Sequence, residues 1–318
     1  MRAVPKRWRT GLFAAVAAAV VAIPLTPLSA SAAVSAANLN GDWAPFSRCP
    51  VDNPAMLAAD GQDLVASCVS SYSPGGAIKL GTTVATTGSN DMQFGVIQDT
   101  AAGTFKVIPP AGGALVGAPT NIPGGLLGLM CPSDVPVVSA VCNQITDVSL
   151  NKVQATVESA GTPTEFNLLA GLTVGQPIVK LPVRIHLENP LLGSNCYIGT
   201  AADPVILRPQ NSTAPSVAIQ RFDGDGTPNA DEGAMLRFAL TGNTQSDDTF
   251  YVPKATGCGL GGVLSWAVNL KTGLPSLSGD NHLTLNNAST YSGALTSPGI
   301  VLPNAGKVLS QYWHSAVK

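Results

Sequence analysis

The chain has 318 residues, of which 45% are hydrophobic and only 11% charged, with 33 glycines and 25 prolines. The charged fraction is less than half the roughly 25% of an ordinary globular domain, and a total of four glutamates excludes the Lys/Glu-rich kind of disorder. Seventeen basic residues against nineteen acidic ones, with no basic run beyond the N-terminus, exclude a phosphate-neutralising face, so nucleic acid is not an expected partner.

Basic Arg2, Lys6, Arg7 and Arg9, an apolar stretch over residues 12–28 and then small residues give the N-terminus the three-part order of a secretory signal peptide. Ala30-Ser31-Ala32 fits the small-x-small cleavage rule. Residues 1–32 are therefore expected to be removed and Ala33 to begin the mature chain, with Val34-Ser35-Ala36 as a fallback. Pro24 and Pro27 interrupt the stretch short of the ~20 apolar residues that span a bilayer, and no later stretch is longer, so no transmembrane anchor is expected after cleavage. Arg7-Trp8-Arg9 is not the paired arginine of the twin-arginine route, and no Cys sits at the cleavage region to take a lipid. The expected location is secreted or at the cell surface, and loss of four basic residues leaves the mature chain mildly acidic.

The six cysteines, Cys49, Cys68, Cys131, Cys142, Cys196 and Cys258, all follow the signal, an even count suited to an oxidising compartment. Fifteen pairings are possible; the sequence-local set Cys49–Cys68, Cys131–Cys142 and Cys196–Cys258 is the simplest, because short loops close first. None has the spacing of a zinc knuckle.

With few aromatics, the core must come from Val, Ile, Leu and Ala. In chain order, residues 54–60 suggest a short helix, and residues 77–86, 93–98, 104–108 and 153–158 suggest strands separated by Gly, Pro and Asn turns. The clearest strand is 178–187: Val179, Leu181, Val183, Ile185 and Leu187 alternate with Lys180, Pro182, Arg184 and His186. Pro182 cannot donate to a ladder, which predicts an edge strand or a bulge. Shorter strands are expected at 205–208, 235–240, 249–252 and 283–286, and a helix at 262–271, where Val263, Trp266, Ala267 and Leu270 share a face and Gly273 with Pro275 end it. Residues 210–215 read as a linker, but a Cys196–Cys258 bond would cross it. The expected organisation is one mature β-rich domain over 33–318, or two fused halves meeting near 196–216. Many short strands with Gly/Pro turns predict an all-β fold, an antiparallel sandwich or barrel with one or two short helices, stapled by disulfides.

Residues 181–200 (LPVRIHLENPLLGSNCYIGT) and 256–287 (TGCGLGGVLSWAVNLKTGLPSLSGDNHLTLNN) resemble segments of secreted actinobacterial proteins of no described activity. The resemblance covers about a third of the chain. It implies export and the Cys196–Cys258 pair, and it implies no catalytic residues.

Candidate chemistry is sparse. The three histidines, His186, His282 and His314, lack a G-x-S-x-G elbow, and His186 shares a strand face with Arg184 and Glu188, as a solvated face would. Four glutamates and 5% aromatics make a poor glycosidase. Asp223, Asp225, Thr227, Asn229 and Asp231 alternate as calcium ligands do, but Pro228 stands where such loops need Gly and Ala234 where they need a bidentate Glu, so a surface turn is preferred over a calcium site. Three apolar segments, 122–130, 189–193 and 260–270, fall in apparent loops. They either fold back as lids or contact a lipid, a glycolipid or a protein. These features predict an exported non-catalytic protein of the cell envelope or medium, acting by binding or as a structural component. The alternative is an exported hydrolase using His186 or the 223–231 cluster.

Overall fold

The computed structural model describes residues 37–131, 136–144, 148–295 and 303–318. The signal-like segment and its cleavage sites lie outside them. A 3-10 turn (Gly41–Phe46) and helix α1 (Pro54–Leu57) come first, the Asn53 side chain accepting the Ala55 N–H with proline at the first helical position. Seven strands follow: β1 (Leu64–Ser73), β2 (Gly75–Leu80), β3 (Thr83–Thr87), β4 (Asn90–Asp99), β5 (Thr104–Ile108), β6 (Leu115–Gly117) and β7 (Thr120–Asn121). Helices α2 (Gly125–Met130), α3 (Pro136–Gln144) and α4 (Val148–Asn151) separate these from β8 (Gln154–Ser159), β9 (Leu181–Glu188), β10 (Tyr197–Ile198), β11 (Val205–Leu207), β12 (Gln210–Asn211), β13 (Ser216–Phe222), β14 (Met235–Asp247) and β15 (Ala255–Thr256). Helix α5 (Ser265–Thr272), strand β16 (His282–Leu295) and helix α6 (Ala305–Ser315) complete the chain.

The strands pair antiparallel into one sheet along the path β12-β14-β16-β1-β4-β6-β8-β9-β10-β15, with β2 and β3 hung on β16. The fold is all-β and sandwich-like, and it is not a closed barrel. β3 pairs only with β2 and β7 only with β8. These two edge strands approach each other through a Thr86–Thr120 hydroxyl contact of 3.5 Å.

The sheet has a core on each side. Val69, Phe94, Val96, Leu115, Val183, Ile185 and Leu187 point into its rolled interior. Ala66, Cys68 and Ile97, on the opposite faces of β1 and β4, pack under Trp43, Phe46, Met56 and Leu309 from the N-terminal turn, α1 and α6. Disulfides join Cys49 to Cys68, Cys131 to Cys142, and Cys196 to Cys258.

Several elements differ from their sequence patterns. Residues 77–86 form a hairpin, because Gly81 adopts φ +57° between β2 and β3. Residues 249–252 are no strand and make a single bridge, Val252 to Ser276. Strands β14 and β16 run past residues 240 and 286 as the longest neighbours in the sheet. The linker-like stretch 210–215 starts with β12 and is hydrogen-bonded to β14. In β9, Val183 and Ile185 are buried while His186 lies on the other face. However, β9 is internal, between β8 and β10/β11, and in continuous register with β8 and β11, where Pro182 predicted an edge or a bulge. The reason is local: the Pro182 backbone faces Ala160, one residue beyond the end of β8, where its carbonyl still accepts the Ala160 N–H at 2.9 Å and the missing proline N–H falls past the last residue of that strand.

Candidate functional site

The acidic cluster follows edge strand β13 as a turn. The Asp225 carboxylate accepts the Thr227 N–H at 2.9 Å, which holds its carboxyl below the usual range. The Asn229 amide donates to Asp223 at 3.4 Å and accepts the Asp231 and Glu232 N–H groups at 3.3 and 3.1 Å. The Gly224 carbonyl between them accepts from Trp43 Nε1 and from Ser315. The turn is thus a post on which the N-terminal turn and α6 rest. Among the described residues no three His, Cys, Asp or Glu side chains gather as a metal-ligand group.

His186 lies across β8, β9 and β10, opposite Thr156 and Tyr197. Its Nδ1 is 3.5 Å from Glu158 and 3.3 Å from Glu188, and its Nε2 is 3.1 Å from the Ser194 carbonyl. The ring stacks on Tyr197 at 4.5 Å, and Arg184 sits over the same tyrosine while pairing with Glu158 at 2.8 Å. Burial raises the Tyr197 phenol, with Glu158 and Glu188 adding to the rise and Arg184 opposing it. Both imidazole nitrogens are thereby engaged with groups that cannot serve as an alcohol nucleophile. At the other end of the chain, Asp52 accepts from Ser310 at 2.6 Å and lies 2.9 Å from His314. The serine hydroxyl therefore faces the carboxylate and not the histidine, which is the wrong order for a proton relay. His282 bonds Thr284.

The apolar segments divide. In 122–130, Leu126, Leu129 and Met130 are buried, and in 189–193 Leu192 is buried, so these two fold back as lids. In 260–270 only Leu264, Ala267 and Val268 turn inward, while Leu260, Val263, Trp266 and Leu270 stand outside.

Two cavities occupy the rolled interior. The first, behind the β3/β7 approach, is lined by Leu80, Ala85, Leu129, Ala155, Leu187 and Leu274 among others, and the second by Leu181, Val183, Val205, Leu207, Leu283 and Leu285. They share Ile78, Thr87, Asn90, Val157 and Ile185, so the two cavities lie side by side along a common wall as an apolar slot. Among the described residues no charged side chain lines either part. The first cavity has a volume of about 40 Å³ and the second about 50 Å³. With so little room, each cavity is narrow. Its polar groups are threonines and Asn90, and the Thr87 hydroxyl is buried without a hydrogen-bond partner.

The slot was not legible in the sequence. Its walls come from segments far apart in the chain, and each wall residue carries only the alternation common to any half-buried strand. The Thr83–Thr87 run (TVATT) was a usable signal, since it alternates while placing hydroxyls where a core strand would carry none. No family model matches the chain, and neither the curated proteins nor the solved structures contain a match, so the segments resembling secreted actinobacterial proteins carry no family assignment.

Proposed function

We propose that this is an exported, non-catalytic binding protein whose interior slot holds one unbranched apolar chain of fatty-acyl type. The observation that carries the reading is a pair of adjoining apolar cavities with no charged side chain among the described residues that line them. Ligand pockets are apolar and concave with a few placed polar groups. Here the unpartnered Thr87 hydroxyl and the Asn90 amide supply them, suited to a carbonyl or hydroxyl on the chain. The narrowness of the slot selects a methylene chain over a ring system. The reading includes cleavage after Ala32, release of one domain over 33–318, and a place in the cell envelope or medium. Three disulfides, and the lack of any helix among the described residues long and apolar enough to cross a membrane, support that location.

The test is a titration of the oxidised mature chain with a fluorescent palmitate analogue in vesicle-free buffer. Saturable binding is expected. Ala85→Phe on β3 and Ala155→Phe on β8, which both fill the first cavity, should each weaken it at least about tenfold, a difference of roughly 1.4 kcal/mol, with far-ultraviolet dichroism unchanged. Thr87→Val keeps the shape and should weaken binding less. Absent binding, or affinity indifferent to both fillings, would refute the reading.

A further inference from the structure

The segment carrying α5 has more apolar surface than its packing needs. Leu264, Ala267 and Val268 on its inner side are buried, yet Leu260 is 94% exposed, Val263 55%, Trp266 41% and Leu270 72%. Residues 263, 266 and 270 fall on one helical stripe, so the helix is apolar on two sides. A contiguous exposed set of this kind marks an interaction surface.

The surface is held in place. Gly259, Gly261 and Gly262 adopt φ of +75°, +65° and +81°, a turn that projects Leu260 outward. Its start is fixed by the Cys196–Cys258 disulfide, by the Gly259 N–H donating to the Leu192 carbonyl at 2.7 Å, and by the Leu264 N–H donating to the Cys258 carbonyl at 2.9 Å. Farther along, the Asn269 amide both donates to and accepts from the Ala255 backbone, tying the helix to β15. The exposed side chains are therefore presented on ordered backbone, and ordering them on contact costs little conformational entropy.

Charge identifies the occupant. Residues 249–279 contain Lys254 and Lys271, both exposed, and no Asp or Glu, in a chain whose formal net charge is negative. Two copies meeting face to face across a two-fold axis would bring this segment, which carries lysines and no carboxylate of its own, against itself. An anionic headgroup layer complements it, the leucines and valine enter the acyl boundary, and Trp266 sits at the level where an amphipathic ring prefers to lie. We infer that Leu260, Val263, Trp266 and Leu270 form a docking ridge for the surface of an anionic lipid bilayer. The helix that bears the ridge ends at Thr272, which with Leu274 lines the slot, so a docked bilayer lies against the slot wall. The docking itself stands whether or not the slot holds an acyl chain.

Flotation of the oxidised mature chain with phosphatidylcholine vesicles, with and without phosphatidylglycerol, tests this. Co-flotation is expected to be stronger with phosphatidylglycerol and to bring a blue shift in tryptophan emission that Trp266→Phe removes, since Trp43 is already buried and the half-buried Trp313 indole is held on the Phe46 carbonyl, away from the ridge in sequence and in its contacts. Leu260→Ser combined with Leu270→Ser should lower the bound fraction at least tenfold, and Lys254→Gln with Lys271→Gln should abolish the preference for phosphatidylglycerol. These positions are exposed, so an unchanged melting temperature controls for folding. Absence of flotation, flotation indifferent to the leucine pair, or concentration-dependent dimerisation that the leucine pair abolishes would each overturn the proposal. Palmitate-analogue binding without vesicles is read in parallel. Its loss with flotation intact refutes the slot reading alone, and the reverse pattern refutes the docking ridge alone.

Discussion

Gly95 and Gly293 flank Cys68 in the sheet, one on each neighbouring strand. A β-carbon at Gly293 would meet the Phe46 ring at 2.9 Å, and one at Gly95 would meet Met56 Sδ at 2.7 Å. The N-terminal segment can thus lie flat on the sheet where Cys49 reaches Cys68 only because these positions have no side chain. Gly293→Ala should destabilise by about 1–3 kcal/mol, since a rigid ring must move, and Gly95→Ala by less, because a methionine end adjusts; urea midpoints of the two variants check the order. Asp52 is a second residue-scale device. Burial pulls its carboxyl upward, but the hydrogen bonds from Ser310 and His314 and the His314 charge hold it below its usual range. A depressed folded value means the stabilisation is full above the unfolded carboxyl value and is lost as pH falls through the folded one. Acidification should therefore loosen α6 before the rest, seen as a change in emission from Trp313, whose indole donates to the Phe46 carbonyl. Asp52→Asn should flatten that acid-side change.

At the scale of elements, β9 and β1 show what a sequence pattern can and cannot reveal. One face of β9 is buried and the other carries a charged network, so period two is written plainly in 178–187. β1 is covered on both faces, and its Ser70, Ser71 and Ser73 mask any alternation. Those hydroxyls are tolerated where they find partners, such as Thr290 for Ser71 and the Asn286 carbonyl for Ser73. The helical period at 262–271 marked α5 within three residues at its start, but the glycines of 259–262 diverted the first turn into a 3-10 piece. The Cys196–Cys258 bond belongs to this scale, joining the β9–β10 connection to the root of the Leu260 turn over 62 residues. Replacing both cysteines with alanine should cost about 2–5 kcal/mol and lower the melting temperature more than removal of Cys49–Cys68 or Cys131–Cys142. Calorimetry of the three double variants decides the ranking.

Across the whole molecule, β1, β4 and β16 supply the interior core from one face and the core under α1 and α6 from the other. Loss of either core therefore exposes strands the other requires, and unfolding should be cooperative. Leu309→Ala, in the second core, should cost about 2–5 kcal/mol and lower a single calorimetric transition. Two separated transitions would show that the cores melt independently.

The β class, the turn-rich build and the polarity of β9 are legible in the amino-acid order, because they follow from local periodicity and from where glycine and proline fall. Only the tertiary structure decided that two of the three apolar loop segments fold back while the third stays outside. That outcome depends on which backbone passes beneath each segment. Nor could the order of strands, the unpaired β3 and β7 edges and the slot behind them be read locally. They arise from pairings between residues as far apart as Ile78 and Leu283, and antiparallel pairing constrains the register of two strands without naming which strands meet.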